Sequence, residues 1–537
     1  MPLLSALDPV RTATAGTARG PEAVRVRVVR ESLPPVDALS LYTALAETRE
    51  HGDVYLFESL EGPDRDRHFA AVGCGRLAEL RVHAGHVELV ADGELGDALA
   101  GALTAVAGPP AHSGAPGRPE HPHRRWALRD PHAVWPLLHA LQGCFDVDTD
   151  VPTGTFAFGF LTTLAYEAAW SMEDLPAPRE TGPETPRCTL TLYADTVWYD
   201  VRDGGVHHLR AEGPLLPSAD GPEPLRAVVD RVSTRVSTRN GTGSGTGNAA
   251  ADTVPPAPAP LSVHDTVDQE TFHTRAKRCL GHIEIGDAYQ IQIGHRIDVE
   301  STLTPLEVYR RLRHRNPSPY MYLVPWAGRT VIGASPELFV RIQDDTISMR
   351  PIAGTTRRGT DPADDERRVA ELRASAKEQA EHVMLVDLCR NDIGRVSAPG
   401  TLRVETMMEV EPFAYVHHLV STVAGRIRPG TDVWTAIGAT FPAGTMTGAP
   451  KLRAMEIIDD IEDHPRGIYA GALGLIDVRG FAVLALCIRT VVHDGVRYST
   501  QASAGLVADS DPGAEWRETL AKMSPAYWAL TGEELMA

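Results

Sequence analysis

Two pairs of glutamates, each pair spaced three residues apart, are the residues best suited to hold a metal ion. Glu378 and Glu381 lie in AKEQAEHVMLVDL, and Glu515 and Glu518 lie in DPGAEWRETLAKM. This spacing places both carboxylates of a pair on one face of a helix. Either pair alone could be a solvated acidic face. If both pairs face one cavity, their repulsion favours a divalent cation, and ligands that are all oxygen predict Mg²⁺ rather than zinc.

A second set of residues could bind the carboxylates of a small acid. Arg489 interrupts the apolar run FAVLALCIRTVV, where a charge needs a partner, and Lys522 follows Glu518 by four residues. Small residues permit a ligand close to the backbone in three segments: RPIAGTTRRG (350–359), FPAGTMTGAPKLR (441–453) and QASAGLVADSDP (501–512). With Mg²⁺, these features predict a pocket for an acid that has more than one carboxylate.

The segment 441–453 is predicted to be a loop that leads into a helix, because apolar residues repeat at helical spacing after Pro450. It is not a phosphate-binding loop of the GxxxxGK[ST] type, since only three residues separate Gly444 from Gly448 and no GK[ST] follows. Amides at a helix start attract anions, and Lys451 adds a charge. We therefore interpret this segment as a candidate site for a carboxylate.

The composition limits the partners and the compartment. The 537 residues carry a formal net charge of −19, which argues against nucleic acid or an anionic membrane as the main partner. Six scattered cysteines without a CxxC pair fit a reducing cytoplasm and predict no zinc site. The sequence shows no signal-peptide pattern, and the longest apolar run, 481–488, is too short to span a membrane. We expect a cytoplasmic protein.

The elements that must position these residues mix strands and helices without regular alternation, which indicates an α+β fold. The first glutamate pair falls on a predicted long helix over about 364–390, and the second on a final helix from about 513. Arg489 falls on a strand predicted over 481–493.

The chain is predicted to divide at a flexible segment. Residues 233–262 are rich first in Gly, Ser and Thr and then in Pro and Ala, as linkers are. A tail over 1–22 and an N-terminal region over 23–232 precede this linker, and a catalytic region over 263–530 follows it.

Segments spread over 268–522 resemble, in the same order, the chorismate-utilising enzymes, and most of all the large, aminating subunit of anthranilate synthase. They are ASPELF (334–339), RPIAGT (350–355), KEQAEHVMLVDLCRNDIGRV (377–396), VHHLVSTV (416–423), FPAGTMTGAPKLRAMEIID (441–459), RGIYAGALG (466–474), LCIRT (486–490) and AGLVADSDPGAEWRETLAK (504–522). The N-terminal half is similar more loosely, through LFESLEG (56–62) and TGTFAFGF (153–160). The resemblance implies a two-layer β-sandwich surrounded by helices, with strands from both halves around the site.

The resemblance also implies roles for individual residues. Mg²⁺, bound by Glu381 and Glu518 with support from Glu378 and Glu515, would hold the ring carboxylate of chorismate. Glu337 is similar to the general acid that protonates the departing ring hydroxyl, and His418 to the residue tied to pyruvate elimination and aromatisation. The implied substrate-binding residues are Arg489, Tyr469, Ala504 and Gly505 for the enolpyruvyl carboxylate, with Lys522 nearby, and Gly354, Thr355 and Thr445 on the ring side.

Two positions indicate the nucleophile. Family members that add water carry Lys where this chain has Gln290, and members that use a lysine nucleophile carry it at the position of Ala353. Ammonia needs neither lysine. The resemblance therefore predicts a lyase that aminates chorismate at ring carbon 2, with loss of the ring hydroxyl and elimination of pyruvate, to give anthranilate for tryptophan biosynthesis.

Three alternatives stay open. Ser503 replaces a glycine of the family's usual QAGAG run, so the product could be 2-amino-2-deoxyisochorismate, which keeps the enolpyruvyl group. An aminodeoxychorismate synthase of secondary metabolism is the second alternative. The third is a non-catalytic relative that binds chorismate or tryptophan.

The resemblance also implies partners. The sequence shows no Cys-centred nucleophile elbow of a glutaminase, so a separate glutaminase subunit or free ammonium would supply the ammonia. The family's tryptophan-feedback site uses an LLES segment and NPSPYM. This chain has LFES at 56–59 and NPSPYM at 316–321, which places Ser59, Pro319, Tyr320 and Met321 in a predicted site for a tryptophan-like inhibitor.

Overall fold

The computed structural model describes residues 23–50, 52–111, 123–178, 185–217, 223–240 and 254–535, so the predicted tail and part of the predicted linker lie outside it. The strands are β1 (Val24–Ser32), β2 (Val54–Glu58), β3 (Phe69–Val82), β4 (His86–Ala91), β5 (His123–Ala127), β6 (Phe145–Asp148), β7 (Gly159–Leu164), β8 (Cys188–Asp200), β9 (Val206–Glu212), β10 (Ser262–Asp265), β11 (Gln290–Glu300), β12 (Tyr320–Trp326), β13 (Arg329–Ser335), β14 (Leu338–Gln343), β15 (Thr346–Met349), β16 (Ile352–Arg357), β17 (Arg403–Pro412), β18 (Val416–Arg426), β19 (Gly448–Ala449), β20 (Ala472–Asp477), β21 (Ala482–Leu486), β22 (Thr490–His493) and β23 (Arg497–Leu506). The α-helices are α1 (Ala38–Ala46), α2 (Gly93–Ala107), α3 (Val134–Gly143), α4 (Leu225–Asn240), α5 (Gln269–Glu284), α6 (Pro305–Arg315), α7 (Pro362–Ala374), α8 (Ala376–Gly394), α9 (Val433–Thr440), α10 (Lys451–Ile461) and α11 (Pro512–Thr531).

The strands form one mostly antiparallel sheet that branches at the long β3–β8 pair. One branch runs through β7, β20, β21, β14 and β15 to β18, which also pairs with β16 and β17. The other branch runs through β2, β12, β13, β22 and β23 to β11, which also pairs with β10 and β19. Both branches contain strands from the two halves of the chain.

The two branches pack face to face, and helices cover their outer surfaces. The alternation of side chains along β12 shows this arrangement. Tyr322 and Val324 join the core shared with β14, β20 and β21. Met321 and Leu323 point to the other face, into a core shared with α1, α6 and α11. The structure thus confirms the predicted α+β fold with a two-layer β-sandwich surrounded by helices.

Two predicted elements are interrupted in the structure. The helix predicted over 364–390 is two helices, because Ser375 takes an extended ψ of 107° and its hydroxyl caps α8 by accepting from the backbone N–H of Glu378. The strand predicted over 481–493 is divided into β21 and β22 by residues 487–489, where Arg489 has a φ of +52°. Both interruptions lie beside predicted site residues.

The predicted linker overlaps an ordered helix at its start, since α4 ends at Asn240. Among the described residues, no helix is both long enough and apolar enough to cross a membrane.

Candidate active site

Helices α8 and α11 bring the two glutamate pairs close enough to influence one another. Burial raises the pKa of Glu381, and the neighbouring carboxylates of Glu378 and Glu518 raise it further. Burial likewise raises the pKa of Glu515, with a contribution from Glu518. A carboxylate whose pKa rises beside other carboxylates is in an environment that a cation would stabilise.

Two lysines partly balance this negative charge. The Lys522 Nζ lies 2.6 Å from Glu518 Oε1 and donates a hydrogen bond of 2.9 Å to the backbone carbonyl of Ser503. Burial pushes the pKa of Glu518 upwards, but Lys522 and Arg489 outweigh it, and the net pKa lies below the ordinary value. Lys377, beside Glu378 on α8, acts in the same direction. Glu518 is therefore held as an anion more firmly than Glu381 or Glu515.

The four glutamates form an open set of oxygen ligands. Among the described residues, the one group of three or more metal-ligand side chains whose ligand atoms all lie within 4.8 Å of one another is His83, His86 and Glu88, at the β3–β4 hairpin. No three of the four glutamates bring their carboxylate oxygens within 4.8 Å of one another. Their oxygen-only chemistry and mutual repulsion fit Mg²⁺, which takes few protein ligands and completes its shell with others.

Glu337 is a buried carboxyl group between β13 and β14. Burial raises its pKa to about 8, although Thr445, the backbone of Ile352 and the charge of Arg489 oppose the rise. The side chain is therefore largely protonated at neutral pH and can donate a proton, as a general acid must.

The guanidinium of Arg489 interacts electrostatically with both Glu337 and Glu518. Burial lowers its pKa, and the charges of Tyr469, Glu518 and Glu337 oppose that change. Its φ of +52° is uncommon for a residue with a side chain and is typical of functional positions. No carboxylate among the described residues lies within ion-pair distance of it, which leaves the guanidinium available to an anionic ligand.

Two hydrogen bonds join β23, β11 and the loop before β20 near the end of β23. The Tyr469 hydroxyl lies 2.7 Å from Ser503 Oγ, and Ser503 Oγ donates to Gln292 Oε1 at 3.1 Å. Ser503 and Tyr469 are both buried, and the backbone of Ser503 pairs with Gly294 of β11. The predicted enolpyruvyl-binding tyrosine thus already has a hydrogen-bond partner in the protein.

Gln290 and Gln292 lie on one face of β11 and cover the backbone of β23. A Cβ atom added to Gly505 would lie 2.7 Å from Gln290 Nε2 and 2.8 Å from Gln292 Nε2, so a side chain at this position would displace the two amides. Gln290 is fully buried, and neither polar atom of its amide has a hydrogen-bond partner among the described residues. Buried polar groups are usually paired, so a bound ligand or water would satisfy this amide. Ala504, between Ser503 and Gly505, pairs with Ile293.

His418 lies beside Gly354 and Thr355, which are predicted to line the ring of the substrate. Its Nδ1 is 2.9 Å from Thr355 Oγ1 and 3.4 Å from the carbonyl of Gly354. Burial lowers its pKa to about 4, so the imidazole is neutral at neutral pH and can accept a proton. The adjacent His417 contacts a different side chain, with its Nε2 2.9 Å from Asp365 Oδ1.

Gly354 lies between His418 and the glutamate Glu378. It has a φ of +78°, and a Cβ atom at this position would lie 3.2 Å from Glu378 Oε2. Ala353, the position where a lysine nucleophile would stand, precedes it on β16.

Residues 441–449 of the segment 441–453 are buried, whereas Pro450, Leu452 and Arg453 are exposed. Residues 444–446 form a short 3₁₀ turn, and Gly448 and Ala449 pair with Ile291 and Gln290 of β11. The Lys451 Nζ lies 2.8 Å from the buried carboxylate of Asp392, so its charge is already paired within the protein. The interpretation that Lys451 offers a charge to a carboxylate ligand was therefore wrong. Thr445, next to Glu337, is the residue of this segment that faces the site.

The predicted regulatory residues lie together at the junction of β2 and β12. The backbone N–H of Leu60, next to Ser59, donates to the carbonyl of Ser318, and Met321 pairs with Glu58. Pro319 packs against Gly62. The Tyr320 hydroxyl donates to Asp66, which forms a buried ion pair with Arg350 at 2.7 Å.

Two residues of the site did not emerge from the sequence. Gln292 follows Gln290 at the two-residue period that places both side chains on one face of a strand, and that period was the available signal. Lys377 directly precedes the first glutamate pair, but its effect on α11 depends on how the two helices meet.

Comparisons with known proteins show which family the chain resembles. The family described as "chorismate binding enzyme" matches residues 119–527. The chain is 46% identical over 513 residues to 2-amino-4-deoxychorismate synthase of Streptomyces globisporus, covering 96% of this chain and 98% of that one. It is 43% identical over 389 residues to anthranilate synthase component 1 of Streptomyces coelicolor, covering 71% and 74%. The crystal structure of anthranilate synthase component I from Streptococcus pneumoniae superposes with a TM-score of 0.63 at 28% identity, covering 86% and 92%.

Proposed function

The chain belongs to the chorismate-binding enzymes, and from this premise we propose that it aminates chorismate at ring carbon 2, expels the hydroxyl at carbon 4 and keeps the enolpyruvyl group. The product would be 2-amino-4-deoxychorismate, which has the same structure as 2-amino-2-deoxyisochorismate. The observation that carries the amination is a protonated Glu337 in a site that has Gln290 and Ala353 at the two positions where a lysine would serve other chemistry.

The reaction needs one proton donor at the leaving group. Glu337 gives its proton to the hydroxyl oxygen at carbon 4, the carbon–oxygen bond breaks, and water leaves. Ammonia forms the new bond at carbon 2 while the ring double bonds shift, and the added nitrogen loses a proton. Ammonia is already nucleophilic, so no side chain has to activate it. A positioned acid of this kind contributes roughly 10²–10⁴-fold to the rate.

The charged side chains hold the substrate in place. Arg489 and the backbone at Ala504 and Gly505 would bind the enolpyruvyl carboxylate. Glu381 and Glu518, with Glu378 and Glu515 beside them, would hold Mg²⁺, and the bound ion would supply positive charge for the ring carboxylate.

Retention of the enolpyruvyl group is supported by the Streptomyces globisporus relative, whose name describes such a product and which matches nearly the whole chain. Elimination to anthranilate is the second candidate. It is favoured by His418, which is neutral and well placed to accept a proton, and by the anthranilate synthase of Streptomyces coelicolor.

The nitrogen source is proposed to be a separate glutaminase subunit, because the name "component 1" of several relatives describes one part of a larger enzyme. Free ammonium would replace it in the test tube. The cluster of Ser59, Pro319, Tyr320 and Met321 is the proposed site of a tryptophan-like inhibitor.

Product analysis tests this function directly. The purified chain is incubated with chorismate, Mg²⁺ and ammonium at alkaline pH, and the products are separated by chromatography. We expect a non-aromatic amino acid that retains the enolpyruvyl group. Fluorescent anthranilate with an equal amount of pyruvate would establish the second candidate, a 4-amino product would contradict the argument from Ala353, and binding without turnover would indicate a non-catalytic relative.

A further inference from the structure

We propose that Ser503 determines the fate of the enolpyruvyl group by taking up the only proton of the Tyr469 hydroxyl. This inference rests on the proposed function. It identifies Ser503 as a specificity-determining residue that acts through Tyr469, and it explains how an enzyme with a competent proton acceptor at His418 can still retain the enolpyruvyl group.

The hydrogen bonds around Ser503 assign each proton. The acceptor on Gln292 is a carbonyl oxygen, which carries no proton, so Ser503 must donate its hydroxyl proton there, at 3.1 Å. Tyr469 then donates to the Ser503 oxygen at 2.7 Å. A phenol has a single proton, and that of Tyr469 is therefore directed at Ser503 rather than into the pocket.

The position of Ser503 makes this arrangement rigid. Its backbone pairs with Gly294 on one side, and its carbonyl accepts the hydrogen bond from Lys522 on the other. The side chain is almost fully buried, so water cannot take over either hydrogen bond. A change of side chain at this position should leave the backbone of β23, and with it Ala504 and Gly505, in place.

Elimination of pyruvate would need the proton of Tyr469. In that step a base takes the hydrogen from carbon 2, its electron pair completes the aromatic ring, and the bond between carbon 3 and the ether oxygen breaks. The leaving group departs as the enolate of pyruvate and is protonated to pyruvate. Negative charge thus grows on the group that Arg489 and Tyr469 face. A hydroxyl that donates to this charge would favour its departure.

The hydrogen bond that Tyr469 would donate to the departing enolate is strong enough to decide the product. A hydrogen bond to a charged group corresponds to about 10- to 100-fold in an equilibrium or a rate. Arg489 and His418 remain in place, so amination and proton acceptance do not depend on Ser503.

The test compares a variant that removes the hydroxyl with one that keeps it. Ser503→Ala removes the hydroxyl and releases the Tyr469 proton, and we expect the ratio of anthranilate to the retained product to rise 10- to 100-fold. Ser503→Thr keeps a hydroxyl and should keep the wild-type ratio. The double variant Ser503→Ala/Tyr469→Phe should lose the gain, because no phenolic proton remains, and the single variant Tyr469→Phe should show the wild-type ratio.

The outcomes separate this inference from the proposed function. If the wild type itself releases mainly anthranilate, the proposed product is wrong whatever the variants do. If the wild type retains the enolpyruvyl group and Ser503→Ala retains it equally, Ser503 does not determine the product. A gain in Ser503→Ala that persists without the Tyr469 hydroxyl would also overturn the inference, because the effect would then arise from space rather than from the proton.

Discussion

The proton chemistry of the site depends on two side chains whose pKa values burial moves in opposite directions. Burial disfavours the charged form of either group, so it raises the pKa of Glu337 to about 8 and lowers that of His418 to about 4. One side chain can then donate a proton and the other can accept one at the same neutral pH. Glu337 lies in the connection between β13 and β14 and His418 lies on β18, and Arg489 acts electrostatically on both.

Replacing Glu337 with Gln should lower activity and raise stability. The pKa is about 8 in the folded protein and 4.5 ordinarily, so the wild type loses stability as pH rises from about 4.5 to 8. Gln cannot ionise and avoids this loss, which is on the order of 4 kcal/mol at pH 8. Urea unfolding at several pH values should show an advantage for Glu337→Gln that grows up to about pH 8 and then levels off.

The same variant should aminate chorismate roughly 10²–10⁴-fold more slowly. Glu371→Gln, on the exposed surface of α7, is a matched control and should change stability by no more than about 0.5 kcal/mol. A stability difference that does not depend on pH would show that Glu337 is ionised in the folded state.

The role of His418 can be isolated once elimination is active. In a Ser503→Ala background, His418→Met keeps the side-chain volume roughly constant and removes the proton acceptor. Amination should continue, while anthranilate release should fall back towards the wild-type level. Because the pKa of His418 is about 4, elimination in Ser503→Ala should not change between pH 6 and 8 through this group. If amination and elimination fall together in His418→Met, the histidine acts earlier than elimination.

At the scale of elements, the site forms where strand and helix ends meet. The glutamate pairs and the pairing of Lys522 with Glu518 follow from spacings within one helix, and the sequence predicts such contacts directly. The hydrogen bonds that run from Tyr469 to Ser503 and from Ser503 to Gln292 depend on the pairing of β11 with β23, which lie about 200 residues apart in the sequence. A single sequence contains no local signal for that register, nor for the positive φ of Arg489 that divides β21 from β22.

Because charges on α8 and α11 influence one another, replacing Glu381 and replacing Glu518 should have different effects on stability. Burial and the neighbouring carboxylates raise the pKa of Glu381, so Glu381→Gln should relieve repulsion and raise thermal stability in EDTA. Glu518 is paired with Lys522 on a partly exposed surface, so Glu518→Gln should leave stability nearly unchanged. Both variants should lose activity and any stabilisation by Mg²⁺.

Thermal unfolding with and without Mg²⁺ measures these effects. Asp387→Asn, on the exposed part of α8, is the control and should respond to Mg²⁺ as the wild type does. If Glu381→Gln keeps both its activity and its response at limiting Mg²⁺, this residue does not belong to the ligand set.

At the scale of the whole molecule, the two halves of the chain form one sheet. β7 of the N-terminal half pairs with β20, and β2 pairs with β12. Asp477, fully buried, accepts hydrogen bonds from the backbone N–H groups of Ala157 at 2.6 Å and Phe158 at 3.2 Å. The Glu167 carboxylate accepts from the backbone N–H of Arg466 at 2.8 Å. The Gly/Ser/Thr-rich segment therefore divides the sequence more than it divides the structure.

After cleavage of the chain between its two halves, the fragments should remain associated as one active complex. A protease site placed within residues 241–253 lies between α4 and Val254, and cleavage there breaks none of the described strand pairs that join the halves. The fragments should elute together in gel filtration and retain more than about half of the amination rate, because the shared core stays buried. The same protein before cleavage is the control. Separation of the fragments without denaturant would mean that the covalent link, rather than the shared sheet and core, holds the site together.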